Sequence, residues 1–109
     1  MDGLNEVSNY LKAIADPTRL TIVGLLNHHG SPLCVNAIVN QLNITQSAVS
    51  QHLRILRQAD LVRTNRQGYH IHYEINRDKI DYYTELLHSI LSPTITNLPD
   101  KCEDGCKEI

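Results

Sequence analysis

The sequence predicts a mainly α-helical domain that contains one β-hairpin, with the element order α-α-α-α-β-β-α. Apolar residues recur at helical spacing through four segments before residue 60 and through one segment after residue 76. Between these, LVRTNRQGYHIHYEI changes to strand-like alternation, and residues 65–68 provide a turn. We therefore expect five helices and two antiparallel strands.

Composition and length are those of one folded domain. The chain has 109 residues, of which 41% are hydrophobic and 20% are charged. It has no apolar run of the length that a membrane span requires, and MDGLNEVSNY lacks the basic and apolar regions of a signal peptide. We expect a cytoplasmic protein with no membrane partner. Residues 1–92 are expected to form the domain, and residues 93–109 a flexible tail that contains two of the three cysteines.

The net charge of −2 conceals an uneven distribution of charge along the chain. Residues 17–75 contain five basic and two acidic side chains, whereas the segments before and after them are both net acidic. A local excess of positive charge favours an anionic partner such as nucleic acid. The central part of the chain is therefore expected to present a basic face.

Several predicted helices have recognisable ends. Asp16 is placed to cap the second helix, which begins with Pro17, and Gly30 is placed to end it. The last helix follows Asn76 or Asp78, either of which can act as its N-cap. These residue types occur where the apolar periodicity begins or stops, so the two signals agree.

The third and fourth helices form a predicted helix-turn-helix. Ser31 and Pro32 are expected to begin the third helix, which includes Cys34 and ends near Leu42. The short turn LNIT follows, and Thr45 is expected to cap the fourth helix. Two short helices joined by a tight turn are typical of this DNA-binding motif.

The fourth helix, within TQSAVSQHLRILRQA, is the predicted DNA-contacting element. Its apolar stripe is buried, and a polar face lies opposite that stripe. Gln can pair with adenine and Arg with guanine in the major groove, while the helix N-terminus attracts phosphate. A solvated helix face with a polar loop is the alternative. The candidate DNA-binding residues are Thr45, Gln46, Ser47, Ser50, Gln51, His52, Arg54 and Arg57 on this helix and Arg66 in the hairpin.

Three segments carry a family resemblance: IADPTRLTIVGLL, LCVNAIVNQLNITQSAVSQHLRILRQADLV and RQGYHIHYEI. Together they resemble the ArsR/SmtB family of winged helix-turn-helix repressors across residues 13–75. Asp60 stands where the family usually has Gly, and Thr45 where Ser is common. The resemblance implies a homodimer, formed through the first and last helices, that binds a double-stranded DNA operator with an inverted repeat. Such repressors release DNA when an inducer binds.

The resemblance also implies where an inducer would bind. Zinc-sensing members carry paired ligands in the last helix, whereas this segment has one histidine, His88, so we expect no zinc site there. Members that sense thiophilic metals carry Leu-Cys-Val-Cys-Asp-Leu. Here Leu33-Cys34-Val35-Asn36 keeps the first thiol and replaces the second.

The remaining thiols leave three alternatives open. Cys34, Cys102 and Cys106 can together form a trigonal thiolate site for As(III), Cd(II) or Pb(II), because thiolates select soft ions. The same thiols can form a disulfide or persulfide bridge in a redox or reactive-sulfur sensor. The third alternative is a repressor that its cysteines do not control.

Two other functional classes are disfavoured by the sequence. It has no Ser/His/Asp set, phosphate-binding loop or paired carboxylates at useful spacing, so we expect no enzymatic activity. A winged helix that binds proteins rather than DNA remains as a rival. Such a protein would show no operator footprint and no salt dependence of DNA affinity.

Overall fold

A computed structural model describes residues 3–93 and confirms the predicted class, five helices with a β-hairpin. None of the helices in this part of the chain is long and apolar enough to cross a membrane. The predicted tail, with Cys102 and Cys106, lies outside the described residues except for its first position. The elements are α1 (Leu4–Ile14), α2 (Pro17–His29), β1 (Leu33–Cys34), α3 (Val35–Leu42), α4 (Gln46–Gln58), β2 (Val62–Gln67), β3 (His70–Ile75) and α5 (Arg77–Leu91).

The helix ends predicted at Asp16, Gly30 and Asn76 are confirmed. The Asp16 carboxylate accepts a hydrogen bond from the backbone N–H of Arg19 at 3.0 Å, and Gly30 ends α2 at a φ of 82°. Asn76 caps α5, because its side-chain oxygen accepts from the backbone N–H of Lys79 at 3.5 Å. Each cap uses a side chain or conformation that the sequence had indicated.

The third helix begins later than predicted, because the chain first forms a short strand. Leu33 pairs with Tyr73 and Cys34 with His72, so that the three strands form an antiparallel sheet in the order β1-β3-β2. The backbone at Cys34 is extended, with φ −78° and ψ 164°, and α3 starts at the next residue. The prediction that Cys34 lies within the helix was therefore wrong. Pairing with β3 satisfies backbone groups that a helix would otherwise satisfy.

The hairpin turn also lies further along the chain than predicted. Strand β2 continues to Gln67, which pairs with His70, and Gly68 and Tyr69 form the two-residue connection. Gly68 has a φ of 64°, a left-handed conformation that glycine adopts without steric cost. Of the residues expected to form the turn, Asn65, Arg66 and Gln67 instead extend β2, and Gly68 remains in the connection.

The core lies where α2, α3, α4 and the start of β2 meet. Its completely buried side chains come from all four elements, and each contributes about 1.5–3 kcal/mol through burial. Helices α1 and α5 pack beside this core, with the rings of Tyr10 and Tyr83 stacked at 4.9 Å between centroids. The largest fully buried residues are Ile22, Ile38, Leu53, Leu56, Leu61, Val49 and Val62.

Candidate nucleic-acid interface

Helices α3 and α4 are joined by a tight turn whose two ends are fixed by hydrogen bonds. Asn43 ends α3 in the left-handed conformation, with a φ of 55°, and its N–H donates to the carbonyl of Val39 at 2.9 Å. Two residues later, Thr45 caps α4 as predicted, and its hydroxyl accepts from the N–H of Ala48 at 3.1 Å. The turn thus sets the direction of α4 relative to α3.

The rotation of α4 about its own axis is fixed by its apolar face. Val49, Leu53 and Leu56 are completely buried, so the opposite face is held toward solvent. Within residues 3–93, neither Arg54 nor Arg57 has an acidic side chain within ion-pair distance. The exposed candidate residues are Thr45, Gln46, Ser47, Ser50, Gln51, Arg54 and Arg57.

His52 differs from the other candidates on α4 because it is half-buried on the flank of the helix. Its Nδ1 atom lies 3.4 Å from the Nη1 atom of Arg19, near the start of α2. The Nε atom of Arg19 also donates to the carbonyl oxygen of Ala13, at the end of α1, at 2.5 Å. Arg19 was not predicted to contact His52, because nothing local in the sequence links residues 33 positions apart.

The β2–β3 hairpin projects a basic tip. Arg63 is engaged by Glu74 at 3.2 Å, whereas Arg66, the candidate nearer the turn, is exposed and has no acidic partner in the described part of the chain. Beyond it, Tyr69 has a relative exposure of 102%, so its ring contacts almost nothing in the protein. Tyr69 is a further candidate for DNA contact, and it was not predicted as one because the turn was expected at residues 65–68.

Cys34 is the candidate inducer-binding residue that the structure describes. It is a free, half-buried thiol at the start of α3, directly opposite His72 in the sheet. The Nδ1 atom of His72 is buried and has no hydrogen-bond partner among the described residues. Residues 3–93 contain no group of three or more His, Cys, Asp or Glu side chains arranged to hold a metal ion. The other two predicted thiol ligands, Cys102 and Cys106, lie outside the described residues.

Comparison with known proteins identifies the family. The model of bacterial regulatory proteins of the arsR family matches residues 16–64. The chain is 40% identical over 88 residues to the transcriptional repressor PagR of Bacillus anthracis, which covers 81% of this chain and 87% of PagR. The chain belongs to the arsR family. This finding confirms the resemblance drawn from the three sequence segments.

Two further proteins are similar to this chain in sequence or in structure. The arsenical resistance operon repressor of Staphylococcus xylosus is 32% identical over 85 residues, covering 78% of this chain and 80% of that protein. The homodimeric winged helix-turn-helix DNA-binding domain of Mb0332 from Mycobacterium bovis superposes with a TM-score of 0.66 at 25% identity. That match covers 83% of this chain and 86% of the Mb0332 domain. In this fold, α3 and α4 form the helix-turn-helix and the β2–β3 hairpin is the wing.

Proposed function

We propose that this arsR-family chain is a homodimeric transcriptional repressor that binds an inverted-repeat operator and releases it when its cysteine thiolates bind a soft metal or metalloid ion. The observation that carries the proposal is the arrangement of α4. One face of this helix is sealed into the core, and the other presents small polar side chains beside arginines without acidic partners in the described range. This is the surface that a major groove accepts.

In this proposal, the exposed face of α4 contacts both the base edges and the phosphates of the operator. Arg54 is suited to guanine and Gln51 to adenine, while Ser47 and Ser50 are small enough to let the helix approach the base edges. Arg57 and Arg66 are assigned to phosphates, together with Thr45 and Gln46 near the helix N-terminus. In this assignment base contacts come from the middle of α4, and the flanking residues fix its register.

A second copy of the chain is the proposed occupant of the face formed by α1 and α5. These two helices pack together, and both expose large apolar side chains. The Mb0332 domain of similar fold is homodimeric, which supports the same assembly here. Two protomers would present two α4 helices to half-sites about 34 Å apart, one turn of the duplex. The exposed apolar residues are Leu4 and Leu11 on α1 and Tyr82, Ile90 and Leu91 on α5.

The proposed inducer site is built around Cys34, with Cys102 and Cys106 as further thiolate ligands. Cys34 precedes α3, and α3 packs against α4, so a displacement of the thiol would tilt the DNA-contacting helix. An allosteric coupling of about 1–3 kcal/mol would weaken operator binding about 5- to 150-fold. The similarity to an arsenical resistance operon repressor supports As(III) as the first ion to test, with Cd(II) and Pb(II) next.

DNA binding is tested by selecting operators from a random double-stranded library with the reduced wild-type protein. We expect an enriched inverted repeat whose affinity falls steeply as the salt concentration rises. Arg54→Ala should lose about 1–3 kcal/mol of binding free energy and relax specificity at one base pair in each half-site. Arg57→Ala, the matched control, should weaken binding to all sequences equally and lower the salt slope by about 1 per half-site.

The same selection also tests the rival functions. If no sequence is enriched and DNA affinity does not depend on salt, the protein is a protein-binding winged helix and the repressor proposal fails. If operator binding is confirmed, addition of As(III), Cd(II) or Pb(II) to the complex tests release. Release by an oxidant or persulfide but by none of these ions would replace the metal proposal with thiol redox sensing.

A further inference from the structure

The side chain of Arg19 joins three helices at the corner between α1 and α2. Its Nε atom donates to the carbonyl of Ala13 in the last turn of α1, and its own backbone N–H is held by Asp16 at the start of α2. Its Nη1 atom reaches Nδ1 of His52 on α4 at 3.4 Å. Arg19 is therefore the polar side chain through which the α1–α2 corner contacts the flank of α4.

The chemistry of this contact selects one form of His52. A guanidinium has five N–H donors and no acceptor, so the imidazole nitrogen beside it must accept. An accepting Nδ1 carries no proton, and the neutral ring then carries its proton on Nε2. A doubly protonated ring would direct an N–H toward the guanidinium and place two positive charges side by side.

The position of His52 along α4 makes the contact relevant to DNA recognition. His52 follows Gln51 directly and precedes Arg54 by two residues, and both of these side chains are exposed. The apolar contacts of Val49, Leu53 and Leu56 fix one side of the helix. The flank that carries His52 is fixed against the α1–α2 corner by the bond to Arg19.

We propose that Arg19 is a positioning residue for the DNA-contacting helix: by bonding to Nδ1 of His52, it fixes the orientation of α4 relative to α1 and so couples operator affinity to the placement of α1. The operator part of this inference rests on the proposed function. His52 then acts as the acceptor in a structural link and makes no direct DNA contact. Because α1 also belongs to the proposed dimer face, the link connects dimer geometry to α4.

A double-mutant cycle on the selected operator tests the coupling. Arg19→Met and His52→Leu should each weaken binding about tenfold, and the double variant should be no weaker than the weaker single variant, because both changes remove one contact. Losses that multiply to about a hundredfold would overturn the proposal. Loss of the Arg19 charge weakens DNA binding both with and without His52, so this effect cancels in the coupling energy of the cycle. A single substitution does not separate the two effects.

A conservative variant separates positioning from general packing. His52→Asn places an amide oxygen near the position of Nδ1, so it should retain wild-type operator affinity within about threefold. If His52→Asn is as weak as His52→Leu while both unfold at the wild-type temperature, the acceptor has no role and the proposal fails.

Nitrogen-15 NMR of the DNA-free protein provides a test that does not depend on operator binding. In the wild type, the neutral His52 ring should carry its proton on Nε2. In Arg19→Met the ring should shift toward a mixture of tautomers, while residues far from Arg19, Ala13 and His52 keep their wild-type signals. A proton on Nδ1 in the wild type, or identical His52 signals in the two proteins, would overturn the proposal.

If the library selection yields no operator, the proposed function fails separately, and these signals alone decide whether the Arg19–His52 link exists.

Discussion

Cys34 and His72 lie directly opposite each other in the β1–β3 ladder, 38 positions apart in the chain. Opposed residues of an antiparallel pair project from the same face of the sheet, with Cβ atoms about 4.5–5.5 Å apart. The strand pairing therefore brings an imidazole next to the thiol that begins α3. This imidazole has a buried Nδ1 without a hydrogen-bond partner among residues 3–93. The pair thus places a buried, unpartnered polar atom beside a free thiol.

The first prediction concerns the stability cost of His72. A buried polar atom without a partner costs about 1–3 kcal/mol, so replacing the ring with an apolar one of similar shape should stabilise the protein. We expect His72→Phe to raise the free energy of unfolding by about 1 kcal/mol, measured by urea denaturation. His70→Phe is the matched control, because His70 is exposed on the same strand. Equal effects of the two changes would show that burial of Nδ1 is not the cause.

The second prediction concerns Cys34 as the inducer-binding thiol. Cys34→Ser should retain operator affinity, because the thiol lies outside the DNA-contacting face, and it should lose release by As(III), Cd(II) or Pb(II). Fluorescence anisotropy of a labelled operator measures both quantities, and ultraviolet thiolate-to-metal absorption should disappear in parallel. Deletion of residues 94–109 is the companion variant, since it removes Cys102 and Cys106 and leaves Cys34. An unchanged response of Cys34→Ser would remove Cys34 from the mechanism.

The third prediction concerns the exposed tyrosine at the wing tip. Tyr69 has no packing role in the described structure, and it lies in the hairpin turn close to the exposed Arg66. An aromatic ring beside an arginine at the tip of a hairpin is suited to the sugar edges of a minor groove. We expect Tyr69→Ala to weaken operator binding about threefold to tenfold, or about 0.7–1.4 kcal/mol, with no change in unfolding temperature. Unchanged affinity would place the wing tip away from the duplex.

Local signals predicted much of this fold. Asp16, Gly30 and Thr45 act at helix ends as their residue types indicate, because a cap requires only its own backbone and that of the next turn. The exposed face of α4 follows in the same way from helical periodicity, which specifies the buried and the solvent face together.

Contacts between distant segments were not predictable. Strand β1 has two residues, too few to show alternation, and it exists only because β3 lies beside it. The Arg19–His52 contact likewise depends on how α2 and α4 cross. The sequence contains both partners but no signal that they meet. Interactions that require the tertiary arrangement therefore account for the late start of α3 and for the orientation of His52.

The fourth prediction follows from the family's usual glycine at position 60. Asp60 adopts a φ of 61°, in the left-handed region where a side chain is strained and glycine is not. Asp60→Gly should therefore raise the free energy of unfolding by about 0.5–1 kcal/mol, and Asp60→Ala should lower it. Urea denaturation of the three proteins gives the order, and a destabilised Asp60→Gly would show that the carboxylate contributes more than the backbone strain costs.

The last prediction concerns the acid sensitivity of the α1–α2 corner. The backbone N–H of Arg19 holds the pKa of the Asp16 carboxyl below its ordinary value of 3.8, and the nearby positive charge of Arg19 acts in the same direction. A carboxyl whose pKa is lower in the folded than in the unfolded state stabilises the fold above its unfolded pKa, and this contribution disappears as the pH falls through the folded pKa.

Asp16→Asn keeps a capping oxygen but cannot ionise. We therefore expect the wild type to be the more stable protein at neutral pH and the difference in unfolding free energy to shrink below pH 3.8, as measured by urea denaturation across the acidic range. A difference that stays constant with pH would assign the role of Asp16 to its hydrogen bond alone.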